Sequence, residues 1–566
     1  MNSDLGMELA GRVTRAIQAA TGLVLTHEEA LVRPSARAGV DYQCDGAMSL
    51  GKKLGKAPRE IAAQLVEQLD SDDLIGEATV AGPGFVNLVL GTEALQDKAN
   101  ALLDDPRFGV TEAKPRRIAI DYGSPNVAKE MHVGHLRSAI IGDALARMLR
   151  FAGHEVLPHN HLGDWGTPFG MLIEHLPEVT GDIADLNAFY REARARFDAD
   201  PEFADRARKR VVLLQSGDEP TLRRWQQLVD ESLKHFDEVY ELLGVRLTRE
   251  DVYGESFYNP YLDGVVEALE GISEISDGAV CVFPEGFTNR EGDRLPLIVR
   301  KRDGGYGYAA TDFATFRYWT GERGATDLLY VVGTPQAQHF AMLFAVCRQA
   351  GWLTGEHHAE HLGFGSVLGE DGKMMKTRAG KSIRLVELLT EAVDRAAAIV
   401  AERSTLPEAE QAAVARAIGI GAAKYADLSS DRERDYTFSY DRMLAMEGNT
   451  NVYLQYANAR GRSILAKSDE DGGPILLTEP QERELVLTLL RFPSAFATAL
   501  ESYAPHKLCT YLYDLATAFS QFYTHCNVLK EENAEVRKSR LSLARLSSDA
   551  LVLGLSLLGI ETPQRL

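Results

Sequence analysis

The chain has 566 residues, 45% hydrophobic and 25% charged, with 61 Lys and Arg against 82 Asp and Glu. That length suggests roughly three or four domains, and the composition is that of an ordinary globular protein. The net charge of −21 disfavours a wholesale nucleic-acid surface, so any phosphate contacts must come from local clusters. Two runs qualify as clusters, 114–117 (KPRR) and 206–210 (RARKR); the second also reads as a solvated helix face. The five cysteines, Cys44, Cys281, Cys347, Cys509 and Cys526, are scattered, odd in number and without CxxC spacing. A zinc cage and a disulfide framework are therefore not expected, and a reducing compartment is. The first residues lack a basic stretch leading into an apolar one, and no apolar run is long enough to span a bilayer. The expectation is a soluble cytoplasmic protein with no membrane partner.

In chain order, residues 1–113 mix helical and strand patterns, with a helix expected across 46–69 and a turn entering a strand at 81–90. The Pro-basic stretch at 114–117 marks a boundary. Residues 117–122 (RIAIDY) predict a short buried strand. The segment 135–153 has helical spacing and closes on Gly153, and 155–160 predicts the next strand. Strand, loop, helix, strand is the pattern of a parallel sheet, whose ligands bind beyond the carboxyl ends of the strands. Residues 178–250 predict a charged helical insertion. Strands are expected at 279–283, 296–300 and 327–332, helices over 385–427, and a helical bundle over 440–566.

Two motifs carry chemistry. His132-Val133-Gly134-His135 (HVGH) falls where the loop after the first parallel strand becomes a helix. Free N–H groups and the helix dipole attract anions there. Each imidazole can donate to a phosphate oxygen, and Gly134 lets a nucleotide approach the backbone. With 14 His and 49 Gly in the chain, this pattern would arise by chance about 0.03 times. The second motif, Lys373-Met374-Met375-Lys376-Thr377-Arg378, lies in a Gly-rich stretch. Such a loop can close on a triphosphate and stabilise charge on the departing pyrophosphate. Taken alone, its lysines read more readily as an exposed basic loop.

Together the motifs resemble the HIGH and KMSKS pair of class I aminoacyl-tRNA synthetases. The fuller string DYGSPNVAKEMHVGHLRS at 121–138 resembles the arginyl-tRNA synthetase form of that motif. HNHLGDWG at 159–166, GNTNVYLQYANAR at 448–460, GVDYQCDGAM at 39–48 and AGPGFVNLVL at 81–90 are similar to further segments of the same family. The resemblance runs from about residue 38 to the end of the chain. It implies an α/β multidomain fold. A Rossmann-like parallel-sheet catalytic domain would span 114–390, with helical and β insertions over about 178–300. An N-terminal α+β domain that binds the tRNA D-loop would fill 1–113. A helical stem-contact region would follow at 391–440, then an all-α anticodon-binding bundle at 441–566.

The resemblance also implies the reaction and the site. L-arginine would be activated by ATP, with Mg²⁺ accompanying the nucleotide, and passed to the 3′ end of tRNA(Arg) by a monomer. ATP would meet His132, Gly134, His135, Lys373, Met374 and Lys376, with Lys129, Lys373, Lys376 and the two histidines as the catalytic set. Arginine would meet Asp121, Asn126, His132, Tyr308, Asp312 and Gln336, because a planar guanidinium calls for carboxylates able to grip it in pairs. Phe85 and Asn87 would read a D-loop base, and Tyr453, Gln455 and Tyr456 the anticodon side.

Three positions depart from the family pattern: Pro168 where Gln is usual, Met375 where KMSKS has Ser, and Leu566 where the family ends in Met. Pro168 is the one hint of a specialised paralogue tolerant of an arginine analogue. A catalytically silent tRNA-binding relative is the other alternative, and the presence of both histidines, Lys129 and Lys376 argues against it.

Overall fold

The computed structural model describes residues 5–35, 37, 39–69, 72–178, 185–375, 383–403 and 406–566. The N-terminal part packs helices Leu5–Thr21, Gly46–Leu54 and Pro58–Leu69 on an antiparallel sheet. Its strands run in the order Val32–Pro34, Tyr42–Cys44, Phe85–Leu90, Ile75–Ala81. The helix expected across 46–69 is two helices. Gly55 ends the first in the left-handed region (φ 64°) and Pro58 opens the second, each in the place its backbone favours.

The catalytic sheet is parallel, in the order His358–His361, Asp327–Tyr330, Arg117–Asp121, Glu155–His159. Its register sets Asp121 beside both His159 and Tyr330, and Tyr330 beside His361, at the carboxyl edge. Side chains alternate between two cores. Ile118, Ile120 and Leu329 face the larger one, whereas Ala119, Leu328 and Tyr330 face a second built from residues 258–353. Residues 167–243 supply the helical insertion, Thr167–His175, Leu186–Ala199, Pro201–Gln215 and Glu219–Leu243. A three-stranded antiparallel sheet, Ser273–Ser276, Ala279–Val282 and Leu297–Arg300, forms the β insertion.

The crossover helix Val133–Phe151 occupies the centre. It packs against helices Leu385–Arg403, Glu408–Leu428, Phe492–Glu501, Pro505–His525 and Ala534–Leu557, so it is buried nearly all round, as the apolar run of its sequence requires. Its two buried charges are paired within the fold, although among the described residues Arg137 Nη2 has no hydrogen-bond partner. Arg137 meets Asp427 at 3.1 Å and the Arg434 carbonyl at 2.9 Å, and Asp143 pairs with Arg147 at 2.6 Å. The N-terminal part docks on the C-terminal bundle through Arg483 to Asp41 (2.5 Å) and through Gln96 and Asn100, which accept from the Leu477 and Ile475 amides.

The arginines of both basic runs pair with neighbouring carboxylates. Arg116 pairs with Asp327 and Arg117 with Glu155; Arg206 and Arg210 pair with Glu174, and Arg208 with Asp205. The second run is thus a helix face bound to its own domain. All five cysteines are buried and unpaired. No helix among the described residues is long and apolar enough to cross a membrane.

Close packing holds the crossover helix to the sheet. A Cβ at Gly142 would lie 2.2 Å from the Tyr122 Cβ, so the helix reaches the strand end only because this residue has no side chain. Gly142→Ala is expected to destabilise the catalytic region by about 1–3 kcal/mol through overpacking. Thermal melting followed by tryptophan fluorescence would show it as a lowered first transition.

Candidate active site

The carboxyl edge of the sheet carries a compact loop, 122–132, before the crossover helix. Backbone strain concentrates here: Gly123, Ser124 and Ala128 have φ of 86°, 46° and 62°, and such conformations persist only where the surroundings impose them. The surroundings do so. Asn160 accepts the Ser124 amide at 3.0 Å, Ser232 accepts the Ala128 amide at 2.9 Å, and the Val127 amide reaches the Gly163 carbonyl at 3.1 Å.

His132 is the N-cap of the crossover helix, with extended backbone. Its Nδ1 accepts the Gly134 amide at 3.0 Å, and its own amide donates to His135 Nδ1 at 3.1 Å. The rings lie 4.1 Å apart. Since both Nδ1 atoms are acceptors, each neutral ring carries its proton on Nε2. Burial, and then the Lys129 charge, hold His132 below the usual histidine range; burial pushes His135 down to about 3. The pair is therefore neutral at pH 7 and presents two Nε2–H donors without a cationic charge. Gly134 is needed by this cap as well as by any ligand, for a Cβ there would lie 2.8 Å from the His132 ring.

On the other side of the sheet edge lies a group of carboxylates. Asp121 is 8% exposed, accepts from Ser124 Oγ at 2.8 Å and lies 3.7 Å from His159 Nδ1. Burial raises its pKa and the Asp312 charge raises it further, against the lowering effect of His161. Asp312 accepts from His339 Nε2 at 2.6 Å, and that bond lifts His339 above the usual range. Two members were not foreseen. Asp164 accepts from the Ser256 hydroxyl and amide. Glu255, half-buried, is pushed up to about 7 by burial, with Asp164 and Asp312 adding to the effect and His161 opposing it. No local motif marks Glu255 in the aromatic stretch VYGESFYNPY; only the folding of that stretch over the sheet edge reveals it. Carboxylates gathered in this way can pair with a planar cation such as a guanidinium.

The structure brings Asp121, Asp312, His132, His135 and Gly134 to one edge of the sheet, and leaves others at its rim. Asn126, Lys129 and Gln336 are exposed, with the Lys129 ammonium 4.6 Å over the Tyr190 ring. Tyr308 is 78% exposed, one helical turn from Asp312 on the same face of helix Tyr308–Arg317. Lys373 and Met374 are exposed at a turn in which Gly369 donates to the Lys373 carbonyl at 2.7 Å. Met375 is partly buried against the larger core. Lys376, Thr377 and Arg378 lie outside the described residues. Pro168 stands exposed in the first turn of helix Thr167–His175, where a missing N–H costs the helix nothing.

The residues expected to face RNA divide. Phe85 is partly exposed at its strand start, and Tyr453 and Tyr456 are partly buried on helix Asn451–Ala466. Asn87, in contrast, is only 6% exposed and accepts from Gln43 at 3.1 Å. Gln455 is 1% exposed, with its amide on Asn451 and on the Glu561 carbonyl at 2.8 Å. It ties the C-terminal segment to the bundle and, in this conformation, does not present a surface to a base. Leu566 packs against the larger core.

Comparison with known proteins places these features. Residues 98–440 match the family described as tRNA synthetases class I (R), catalytic domain; residues 7–90 match the arginyl tRNA synthetase N terminal domain, and 454–566 the DALR anticodon binding domain. The arginine–tRNA ligase of Thermobifida fusca is 50% identical over 572 residues, covering 99% of both chains. That of Laribacter hongkongensis is 46% identical, covering 94% of this chain and 95% of its own. The solved arginyl-tRNA synthetase of Plasmodium falciparum superposes with a TM-score of 0.86 at 29% identity, over 100% of this chain and 99% of its own. The Thermus thermophilus enzyme gives 0.83 at 27%, over 99% and 100%. The chain belongs to the arginine–tRNA ligase family of class I aminoacyl-tRNA synthetases.

Proposed function

We propose that the acidic cleft and the HVGH turn divide one active site between the two halves of its first substrate pair. The observation that carries this reading is the contrast between them: four carboxylates with no lysine or arginine partner among the described residues, beside two imidazoles locked neutral as donors. Asp121, Asp312 and Glu255 would grip the guanidinium, with Tyr308 and Gln336 closing over it from the rim and Asn126 holding the α-amino group. The Nε2–H groups of His132 and His135 and the main chain at Gly134 would meet the triphosphate. Lys129, Lys373, Met374 and Lys376 would come to it from the mouth of the site.

The reaction has two steps. The arginine carboxylate attacks the α-phosphate of ATP, forming arginyl-adenylate and releasing pyrophosphate. The terminal ribose of tRNA then attacks the adenylate carbonyl and AMP leaves. In this reading catalysis is positioning and charge stabilisation, with no covalent enzyme intermediate. Mg²⁺ would enter with the nucleotide on phosphate oxygens and water, supplying charge neutralisation. The chain would act as a cytoplasmic monomer. Residues 1–113 would serve the D-loop through Phe85 with Asn87 behind it, residues 391–440 the stem, and 441–566 the anticodon through Tyr453 and Tyr456.

Aminoacylation of tRNA(Arg) with labelled arginine, canavanine and lysine tests the whole reading. Arginine should be charged and lysine rejected, because a point charge leaves paired acceptors unsatisfied; charging of lysine at a comparable rate would refute it. ATP–pyrophosphate exchange should require tRNA.

Glu255 gives a pH signature. With its pKa near 7 in the free protein, the carboxylate is charged above that pH and protonated below it. Thus kcat/KM for arginine should fall as pH drops through about 7, and Glu255→Gln should lower the plateau and remove that limb. An unchanged profile in the variant would exclude the role. Lys376→Ala should slow adenylate formation while leaving the KM for arginine near its original value; a pure rise in that KM would contradict the assignment.

A further inference from the structure

Glu130 lies between Lys129 and the Met131-His132 turn and is 6% exposed. Its carboxylate is gripped from two sides. Arg384 reaches it as a fork, Nε to Oε2 at 2.7 Å and a terminal nitrogen to Oε1 at 2.9 Å. Asn187 donates to Oε2 at 2.8 Å and accepts the Glu130 amide at 3.3 Å.

The three residues belong to three parts of the chain. Glu130 is in the signature turn. Arg384 immediately precedes helix Leu385–Arg403 and follows the segment that contains Lys376. Asn187 opens helix Leu186–Ala199 of the insertion, which also carries Tyr190 under the Lys129 ammonium. The main chain joins the first two directly: the Val133 amide donates to the Ile383 carbonyl at 3.2 Å, and the Leu385 amide to the Met131 carbonyl at 2.9 Å. A buried carboxylate paired this fully gains little net stability over an apolar residue, and the best-attested use of such pairs is to fix register. The fork supplies direction as well as attraction, which a lysine would not.

We propose that Glu130 is a positioning residue for adenylate formation. Through Arg384 it holds the start of helix Leu385–Arg403, to which the chain leads from Lys373, against the HVGH turn. Through Asn187 it holds the helix on which the Lys129 side chain rests. Lysines and imidazoles from separate segments thereby meet the triphosphate in one register. The inference rests on the reading of HVGH and the 373–378 loop as the ATP clamp.

ATP–pyrophosphate exchange with tRNA present tests it, with kcat and both KM values measured for Glu130→Gln, Arg384→Gln, their combination, Arg384→Lys, Asn187→Ala and Lys376→Ala. Glu130→Gln and Arg384→Gln should each lower kcat by roughly tenfold to a hundredfold, as small misplacements do, with KM for arginine within about twofold. The double variant should be no slower than the worse single variant, since one linkage is broken once. Arg384→Lys, which keeps the charge and loses the fork, should fall between. Should the buried variants fail to fold, Asn187→Ala, at a half-exposed helix start, should still lower kcat several-fold without moving the arginine KM. Additive losses, an arginine KM that rises with kcat intact, or a normal Glu130→Gln beside a slow Lys376→Ala would overturn the proposal. A Lys376→Ala enzyme as fast as the original would overturn the clamp reading itself.

Discussion

The constraint on which the site depends is the occupation of two imidazole lone pairs by main-chain amides. His132 and His135 cap their own helix with Nδ1, leaving Nε2–H as the only outward group on each ring. Protonation of either ring would place an N–H against an N–H and break a cap, so burial and geometry agree in keeping both neutral. The sign for stability follows from the lowered pKa. The caps contribute fully above the unfolded histidine value of about 6.5 and are lost as pH falls from there towards the folded values. Helix start and anion site are thus one structure. A histidine pair three apart does here what Ser and Glu do in an ordinary capping box, with donors to spare.

Neutral donors beside an acidic cleft solve an electrostatic problem. Cationic histidines next to Asp121, Asp312 and Glu255 would form internal ion pairs and weaken the attraction of these carboxylates for any other cation. His339 already forms such a pair with Asp312 through one carboxylate oxygen, and His159, held neutral by burial, lies 3.7 Å from Asp121. The raised pKa of Glu255 comes first from burial and only then from the neighbouring Asp164 and Asp312, with His161 opposing. In the proposed reading, a guanidinium would offset both the burial and the repulsion, so the same groups would favour a planar cation.

The parts of this arrangement legible in the sequence are those carried by contiguous residues. The strand at 117, the crossover helix ending on Gly153 (φ 94°) and the strand at 155 follow from apolar spacing and one glycine, and the HVGH string lies where such a unit binds ligands. Strand His358–His361 escaped because HAEH has no apolar alternation; it is half-buried along its length, paired in parallel with Asp327–Tyr330 and anchored by His361, which stacks on Phe340. Glu255, Asp164 and Glu130 escaped for another reason: each acts through partners distant in sequence. Gln455 shows the converse. Its motif was legible, yet burial against Glu561 is a tertiary fact that no spacing encodes.

The crossover helix also explains why a protein of this family keeps its RNA-binding parts and its chemistry in one continuous core. The helix begins at the ATP turn and runs under the C-terminal bundle. Along its flank, Lys424 of helix Glu408–Leu428 is fully buried, its pKa lowered to about 8 by burial, and donates to the Leu243 carbonyl at 2.7 Å and the Gly559 carbonyl at 2.6 Å. Asp143 of the crossover helix faces the same junction, where a Cβ at Gly559 would lie 2.9 Å from its carboxylate and 3.0 Å from Lys424 Nζ. The end of the insertion, the C-terminal segment and the signature helix therefore meet at two buried charges, Lys424 and Asp143, and one glycine. Close-packed junctions of this kind move between discrete arrangements rather than deforming smoothly. A shift of the C-terminal segment, which Gln455 holds at Glu561, would have to repack Lys424 and Asp143 before it could leave the HVGH turn undisturbed.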